Sequence, residues 1–313
     1  MANILVIGGS GFIGANIIKF LLKSNNHIFV YEVLGADTSR LDSFNVTLLF
    51  GKLSETDNFA SILDSNKIET VIHLASALTP SSSFEAYQDE MNSIVLPTMR
   101  LLPIISKRNI KLVYFSSGGT IYGKSSVNRA LKEDDRTEPI CYYGVTKLLL
   151  EQMIRIEHEY SKLNYLIIRP SNPYGPGQNI FGIQGLIAAA LGKIQKNEPL
   201  TIWGDGFVVR DYIYIDDLAQ AVCDLLQKNI CCGTYNIGSG IGYSINQIVN
   251  IINQINILEV IYTEGRFVDV PSLILDVTKI KNEINFSPLS IEDGIKSFFE
   301  YIKEHNSCDK IQQ

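Results

Sequence analysis

The stretch Ile4-Leu5-Val6-Ile7 followed by Gly8-Gly9-Ser10-Gly11-Phe12-Ile13-Gly14 restricts the fold more than any other part of the chain. A short β-branched run that ends in closely spaced glycines predicts a buried strand and a tight turn. The apolar pattern from Ala15 to Lys23 predicts the helix that follows. Glycines let the backbone approach an anion at a helix N-terminus, where free N–H groups and the dipole favour negative charge. The spacing is Gly8-x-x-Gly11-x-x-Gly14 rather than the usual G-x-G-x-x-G, and an ordinary strand–helix turn would also fit it. Glu32 lies 18 positions past Gly14, at the end of a second strand over Ile28–Tyr31. A carboxylate there can bind the adenosine ribose hydroxyls and repel a 2′-phosphate, so NAD is favoured over NADP. Arg40 is close enough in sequence to keep NADP open.

The rhythm continues. Strands are predicted at Thr47–Phe50, Thr70–Leu74, Lys111–Phe115 and Tyr165–Arg169, with helices at Phe59–Leu63, Tyr87–Ser106 and Tyr143–Tyr160. Pro97 and Pro103 are expected to bend or break the second of these helices. Alternation at this spacing argues for an α/β fold, a Rossmann-like doubly wound parallel sheet. After Asn172-Pro173-Tyr174-Gly175-Pro176-Gly177 the pattern becomes irregular. A chain of 313 residues is long for one core. We therefore expect a nucleotide-binding domain over 1–175 and a smaller C-terminal substrate lobe over 176–313, with some segments returning to the first domain.

Charge and cysteine content exclude several classes. Net charge is −6 with both signs mixed, and no basic tract marks a nucleic-acid binder. The five cysteines, Cys141, Cys223, Cys231, Cys232 and Cys308, lack zinc-ligand spacing, so free thiols and no metal are expected. Ile183 to Leu191 is apolar but too short to span a bilayer, and no leader pattern precedes Asn3. A cytoplasmic protein is the expectation.

Tyr143 and Lys147 are four residues apart on a predicted helix and therefore share a face. A phenol beside an ammonium is favoured as phenolate and can exchange protons nearer neutrality. Alone the pair is prone to chance. Together with the glycine loop and Arg169-Pro170-Ser171-Asn172-Pro173-Tyr174-Gly175, it resembles the extended short-chain dehydrogenase/reductases. Ile202-Trp203-Gly204-Asp205-Gly206, Val209-Arg210-Asp211-Tyr212-Ile213 and Arg266-x-x-Asp269-Val270-Pro271 resemble the UDP-sugar 4-epimerase branch. The resemblance runs from about residue 3 to about residue 300.

That resemblance implies a tightly held NAD that removes hydride from C4 of a nucleotide-linked hexose of the UDP-glucose/UDP-galactose type. The 4-keto sugar turns over, and hydride returns to its other face. Tyr143 would take the C4 hydroxyl proton, and Lys147 would lower the tyrosine pKa and hold the nicotinamide ribose. Gly8, Gly11, Phe12, Ile13 and Gly14 would meet the pyrophosphate, with Glu32 on the adenosine ribose. Leu74, Ala75, Ser76 and Ala77 would line the cofactor channel, Asn92 would lie near the cofactor, and Ser171 near the nicotinamide. Asn172, Arg210 and Arg266 would hold the diphosphate, Asp269 the nucleoside ribose, and Thr201, Ile202 and Trp203 the uracil site. Gly118 is expected on the sugar side. A homodimer through a four-helix bundle built from helices 87–106 and 143–160 is implied as well.

Plainer readings stand beside these. Arg210 and Arg266 could be surface ion-pair partners, Asn172 a turn residue, and Trp203 a core side chain. His73 reads as a packed core group. The sequence also departs from the family. The proton-relay hydroxyl normally lies four residues before the tyrosine of the Tyr-Gly pair, here Tyr122, and that position holds Gly118. Thr120 or Ser117 must supply it, or water; Thr120 is favoured. Lys52 stands where an adenine-contacting aspartate is usual, so the backbone of Lys52 and Leu53 is expected to serve instead. The absence of a carboxylate in Gly118-Gly119-Thr120 disfavours a 4,6-dehydratase or a decarboxylase. A one-way 4-ketoreductase, or a 4-epimerase of a different hexose, is the runner-up, and a non-catalytic NAD-binding protein the alternative of another class. Leu273, two after Pro271, is expected to favour unacetylated hexoses.

Overall fold

Strand β1 (Asn3–Ile7) is buried from Ile4 to Ile7 and belongs to a seven-stranded parallel sheet. The computed structural model describes residues 1–309 apart from 125–128, 183, 229 and 266–269, with side chains described as far as residue 305. Helix α1 (Phe12–Leu22) returns the chain to β2 (His27–Glu32), and β3 (Thr47–Phe50) completes one edge. Helix α2 (Thr56–Ser65) then carries it to β4 (Thr70–His73), which pairs with the other side of β1. Beyond it lie β5 (Lys111–Phe115), β6 (Tyr165–Pro170) and β10 (Cys232–Ile237), in the order β10-β6-β5-β4-β1-β2-β3. The direction of winding reverses between β1 and β4. In such sheets the crevice beyond the strands' carboxyl ends, at that reversal, takes the ligand.

Strand alternation splits the interior into two layers. Ile4 and Val6 pack with Ile17 and Ile18 of α1 and with Leu218 and Val222 of α7 (Ile215–Gln227). Leu5 and Ile7 face Phe59 and Leu63 of α2, Leu101 and Ile105 of α4 (Leu96–Ser106), and Leu150 and Ile154 of α5 (Tyr142–Ser161). The predicted 87–106 helix is α3 (Phe84–Glu90), a π turn over Met91–Val95, and α4. Pro97 falls in the first turn of α4, where a missing N–H costs least, and the wider turn before it keeps the axis continuous. Pro103 is accommodated inside α4, so neither proline breaks the helix.

A third cluster joins Tyr174, Ile187, Leu191, Ile202, Tyr212, Ile248 and Phe298. It is roofed by short strands: β9 (Val209–Tyr214) pairs with β7 (Asn172–Tyr174), β11 (Gly242–Ser244) and β13 (Ser272–Leu273). A separate two-stranded piece joins β8 (Leu200–Trp203) to β12 (Val260–Thr263). Because β7 begins two residues after β6 ends, the third cluster is hung directly on the carboxyl end of the main sheet.

Candidate active site

The glycine loop is shaped for a ligand that touches backbone. Gly11 precedes α1 with no side-chain cap, so the helix's first N–H groups are not occupied by a capping side chain. The helix begins at Phe12, inside the glycine loop rather than at Ala15. A Cβ on Gly14 would lie 2.7 Å from Gly8 O and Gly9 O, and Gly8 has φ +77 with Ala75 N 3.0 Å from its own would-be Cβ. The loop is thus pressed against the Leu74–Ala75 segment after β4, and both help to wall one cradle. Glu32 is half-buried and one carboxylate oxygen accepts from Ser10 N at 2.8 Å. Phe12 and Ile13 are partly buried against the core. Lys52 gives its carbonyl to Tyr31 Oη at 3.1 Å, and Leu53 is buried. Arg40 reaches the carbonyl of Gly177 at 3.3 Å. An extended dinucleotide fits this cradle: Gly8 and Gly14 leave no room for a side chain, and three buried hydroxyls further along the carboxyl edge, on Ser116, Thr120 and Ser171, have no protein partner.

Tyr143 and Lys147 stand on the first turns of α5. Lys147 is 4% exposed, donates to the carbonyl of Phe115 at 2.9 Å, and lies 5.5 Å over the Tyr143 ring. Burial lowers its pKa to about 8. Burial also pushes the Tyr143 phenol up to about 12, and a hydrogen bond from Ser117 opposes that rise. Lys147, expected to depress the phenol, is not among the groups that shift it. The ammonium sits over the ring and bonds a main-chain carbonyl, while desolvation dominates.

Of the two relay candidates, Ser117 is the one whose hydroxyl lowers the phenol pKa, while Thr120 Oγ1 is buried without a hydrogen-bond partner. Thr120 turns its carbonyl towards Gly144, 3.0 Å from where a Cβ there would be. Gly118 is enclosed: its N–H donates to Pro170 O at 2.8 Å, and a Cβ would lie 2.6 Å from Leu275 Cδ1 and 3.0 Å from the carbonyls of Arg169 and Pro170. The space a serine side chain would need there is taken up by Leu275 and these two carbonyls, and the usual relay position carries no hydroxyl.

On the lobe side, a cavity of about 250 Å³ is lined by Asn172, Tyr174, Leu186, Arg210, Tyr212 and Ile245. Asn172 donates to Asp211 O at 2.7 Å and approaches Gly119, so this cavity adjoins the Ser117 loop. Arg210 donates to the carbonyls of Val209 and Val270. Of the predicted uracil residues, Ile202 is corrected: β8 alternates, and Ile202 points into the third core cluster while Thr201 and Trp203 face out. Leu273 is likewise buried in the core and cannot gate a sugar by contact. Arg266 and Asp269 lie outside the described residues.

Asn92, expected beside the cofactor, is exposed within the π turn Met91–Val95. Two residues along a helix point to nearly opposite sides, and the buried one is Glu90, 3% exposed. Its oxygens accept from Ser76 Oγ and Ala77 N, both at 2.8 Å. Sequence reading missed Glu90 because Gln88-Asp89-Glu90 looks like a solvated face. It also missed Asp211, which is fully buried and accepts from Ser239, Gly240 and Leu275, tying β9 to the chain after β10 and after β13. Burial raises its pKa to about 6. His73 is a core group as expected: Nε2 meets Thr98 Oγ1 at 2.9 Å, and burial drops its pKa to about 3.

Residues 4–238 match the NAD dependent epimerase/dehydratase family. A putative UDP-glucose 4-epimerase of Methanocaldococcus jannaschii is 31% identical, with 97% of this chain and 99% of that protein aligned. A dTDP-4-dehydro-6-deoxyglucose reductase of Escherichia coli is 29% identical over 96% of this chain and 98% of the relative. Among solved structures, UDP-glucose 4-epimerase of Thermotoga maritima with UDP-glucose superposes with a TM-score of 0.89 at 29% identity, covering 97% of this chain and 99% of that one. The family match begins within β1, before the glycine loop, takes in the Tyr143–Lys147 pair and ends just past β10, so it spans the whole seven-stranded sheet: this chain belongs to the NAD dependent epimerase/dehydratase family.

Proposed function

We propose that the protein is an NAD-dependent 4-epimerase of a nucleotide-linked hexose, of the UDP-glucose/UDP-galactose type. The observation that carries this reading is the meeting of Ser117, Tyr143 and Lys147 at the carboxyl edge of the sheet, beside the cavity of Asn172 and Arg210. When bound, NAD would supply the acceptor for the C4 hydride and the donor that returns it. Glu32, the Gly8–Gly14 loop and Lys147 would hold it. Tyr143 would take the proton of the C4 hydroxyl and return it to the ketone oxygen, with Ser117 passing it on. Asn172 and Arg210 would anchor the diphosphate, since a guanidinium fork suits that anion. Holding the nucleotide while the hexose turns gives both faces of C4 access to one hydride site. The division at about residue 175, and a cytoplasmic setting consistent with the free thiols of Cys141, Cys223, Cys231 and Cys232, are part of the proposal. Among the described residues no helix is long and apolar enough to cross a membrane.

A second reading, a one-way 4-ketoreductase, is favoured by the similarity to the E. coli reductase. Incubating purified protein with UDP-Glc, UDP-Gal, UDP-GlcNAc, UDP-GalNAc and dTDP-glucose separates the two. Epimer formation with no net change in NADH is expected. Stoichiometric oxidation of NAD(P)H on a 4-keto sugar would support the reductase, and no turnover on any substrate would sink the enzyme reading.

We also propose a homodimer. Helix α5 carries an apolar stripe at Tyr142, Val145, Leu149, Met153, Ile156 and Tyr160, spaced three and four apart. Val145, Ile156 and Leu96 of α4 are exposed. Pairing this face with a second copy would build a four-helix bundle. Light scattering should return twice the chain mass, and a monomer at micromolar concentration would count against it.

A further inference from the structure

Two cysteine sulfurs converge at the amino end of β10, on the edge of the sheet opposite Tyr143 and Lys147. Cys232 opens the strand and is half-buried, while Cys231 precedes it and is exposed. Within a strand, neighbouring side chains point to opposite faces. Cys231 stands just outside β10, and the two Sγ atoms are 3.6 Å apart. We propose that Cys231 and Cys232 are a redox-active dithiol, which a low-molecular-weight disulfide such as oxidised glutathione converts reversibly to a vicinal disulfide. The proposal stands independently of the epimerase reading.

The surroundings suit the exchange. His158, in the last turn of α5, places Nδ1 3.4 Å from Cys232 Sγ and 2.8 Å from the carbonyl oxygen of Leu163. A carbonyl can only accept, so Nδ1 carries a hydrogen. That N–H stands where a thiolate on Cys232 needs a donor. The imidazole also packs edge-on against Tyr165, with ring centroids 5.5 Å apart. Tyr165 pairs with Cys232 between β6 and β10, and its N–H donates to the carbonyl of Cys231 at 3.2 Å. The backbone that carries both sulfurs is therefore anchored beside the imidazole. Burial raises the pKa of the Cys232 thiol, and the neighbouring Cys231 adds to the rise. The exposed Cys231 accordingly takes the first step.

Its thiolate attacks one sulfur of oxidised glutathione, the glutathione S–S bond breaks, and one glutathione thiolate leaves. Cys232 then gives its proton to solvent, and its thiolate, steadied by His158, attacks Cys231 Sγ. The second glutathione thiolate leaves. Two protein thiols have lost two electrons, one glutathione disulfide has gained them, and the two protons end on the glutathione thiols. The sulfurs must close from 3.6 Å to about 2.05 Å. Closure between adjacent residues makes a strained eight-membered ring, which favours ready return to the dithiol.

The test incubates reduced full-length protein with excess oxidised glutathione, quenches by alkylation and digests with trypsin. Residues 229–266 form a tryptic fragment whose only cysteines are Cys231 and Cys232. The wild-type fragment should be two hydrogens lighter, resist alkylation, carry no glutathione, and regain both thiols in dithiothreitol. Cys232→Ser should stop at one glutathione adduct on Cys231. Cys231→Ser should react about tenfold more slowly, since burial keeps Cys232 protonated. His158→Phe should prolong the mixed disulfide several-fold, and His158→Asn, whose amide nitrogen can replace Nδ1, should shorten it again. Binding of one phenylarsine oxide per chain to reduced wild type, abolished by oxidised glutathione, is a second reading that needs no variant to fold. A wild-type fragment that keeps glutathione, carries two adducts or stays unmodified overturns the proposal.

Discussion

Tyr143→Phe is expected to lower kcat by roughly two to four orders of magnitude, the usual worth of a positioned general acid–base group, while leaving the fold and NAD binding intact. The phenol oxygen is the only atom removed, and its partner is Ser117, itself a hydroxyl that can turn to another acceptor. The ring remains beside Lys147, so packing is preserved. If the pair merely stabilised the start of α5, the rate would scarcely change and the melting temperature would fall instead. Ser117→Ala and Thr120→Ala refine the same experiment. The Ser117 hydrogen bond holds the phenol below the value that burial alone would give. Its loss raises the phenol pKa further, so the acid limb of the rate profile should move to higher pH. Thr120, whose hydroxyl is unpartnered, should leave that limb where it is. Equal effects at both positions would return the relay to open choice.

The glycine loop was legible because its physical demand is local. A Cβ at Gly14 has nowhere to go, and the strand before it is apolar on both faces. Tyr143 and Lys147 were legible for the same reason, since helical spacing alone puts them together. Glu90 was not, because nothing in Asp89-Glu90 distinguishes a carboxylate that will be buried from one that will be solvated. What buries it is the packing of α3 against the turn after β4, a contact made at long range in the chain. Ile202 failed differently. It lies in the motif Ile202-Trp203-Gly204-Asp205-Gly206, but the strand's period of two turns Ile202 inward and Thr201 and Trp203 outward. The roof of the lobe was beyond reach, since β7, β11 and β13 are two or three residues long and pair with β9 across distant segments. Strands that short carry no period.

Arg169→Met is expected to cost about 3–5 kcal/mol of stability, the range for breaking a buried ion pair by removing one partner. Arg169 is 1% exposed and Glu151 fully buried, with Nε–Oε1 at 2.9 Å and Nη2–Oε2 at 2.6 Å. Its other nitrogen, Nη1, donates to Tyr122 Oη and to the carbonyl of Glu133, each at 2.9 Å. Tyr122 passes the chain on to Asn236 at 2.7 Å, and Asn236 donates to Leu131 O at 2.8 Å. One guanidinium therefore ties α5, β6, β10 and the segment around residues 131–133. Methionine leaves Glu151 with Arg155, which is more than a third exposed, as its remaining cation. The double variant Arg169→Met/Glu151→Leu removes the stranded charge and should recover part of the loss in urea denaturation, because the pair itself contributes little beyond what an apolar substitute would. A single variant as stable as wild type would show the pair to be dispensable. The carbonyl of Arg169 also closes one side of Gly118. Loosening β6 here should therefore disturb the Ser117 loop and reduce turnover even in the fraction that stays folded, which links this structural arginine to the chemistry it never touches.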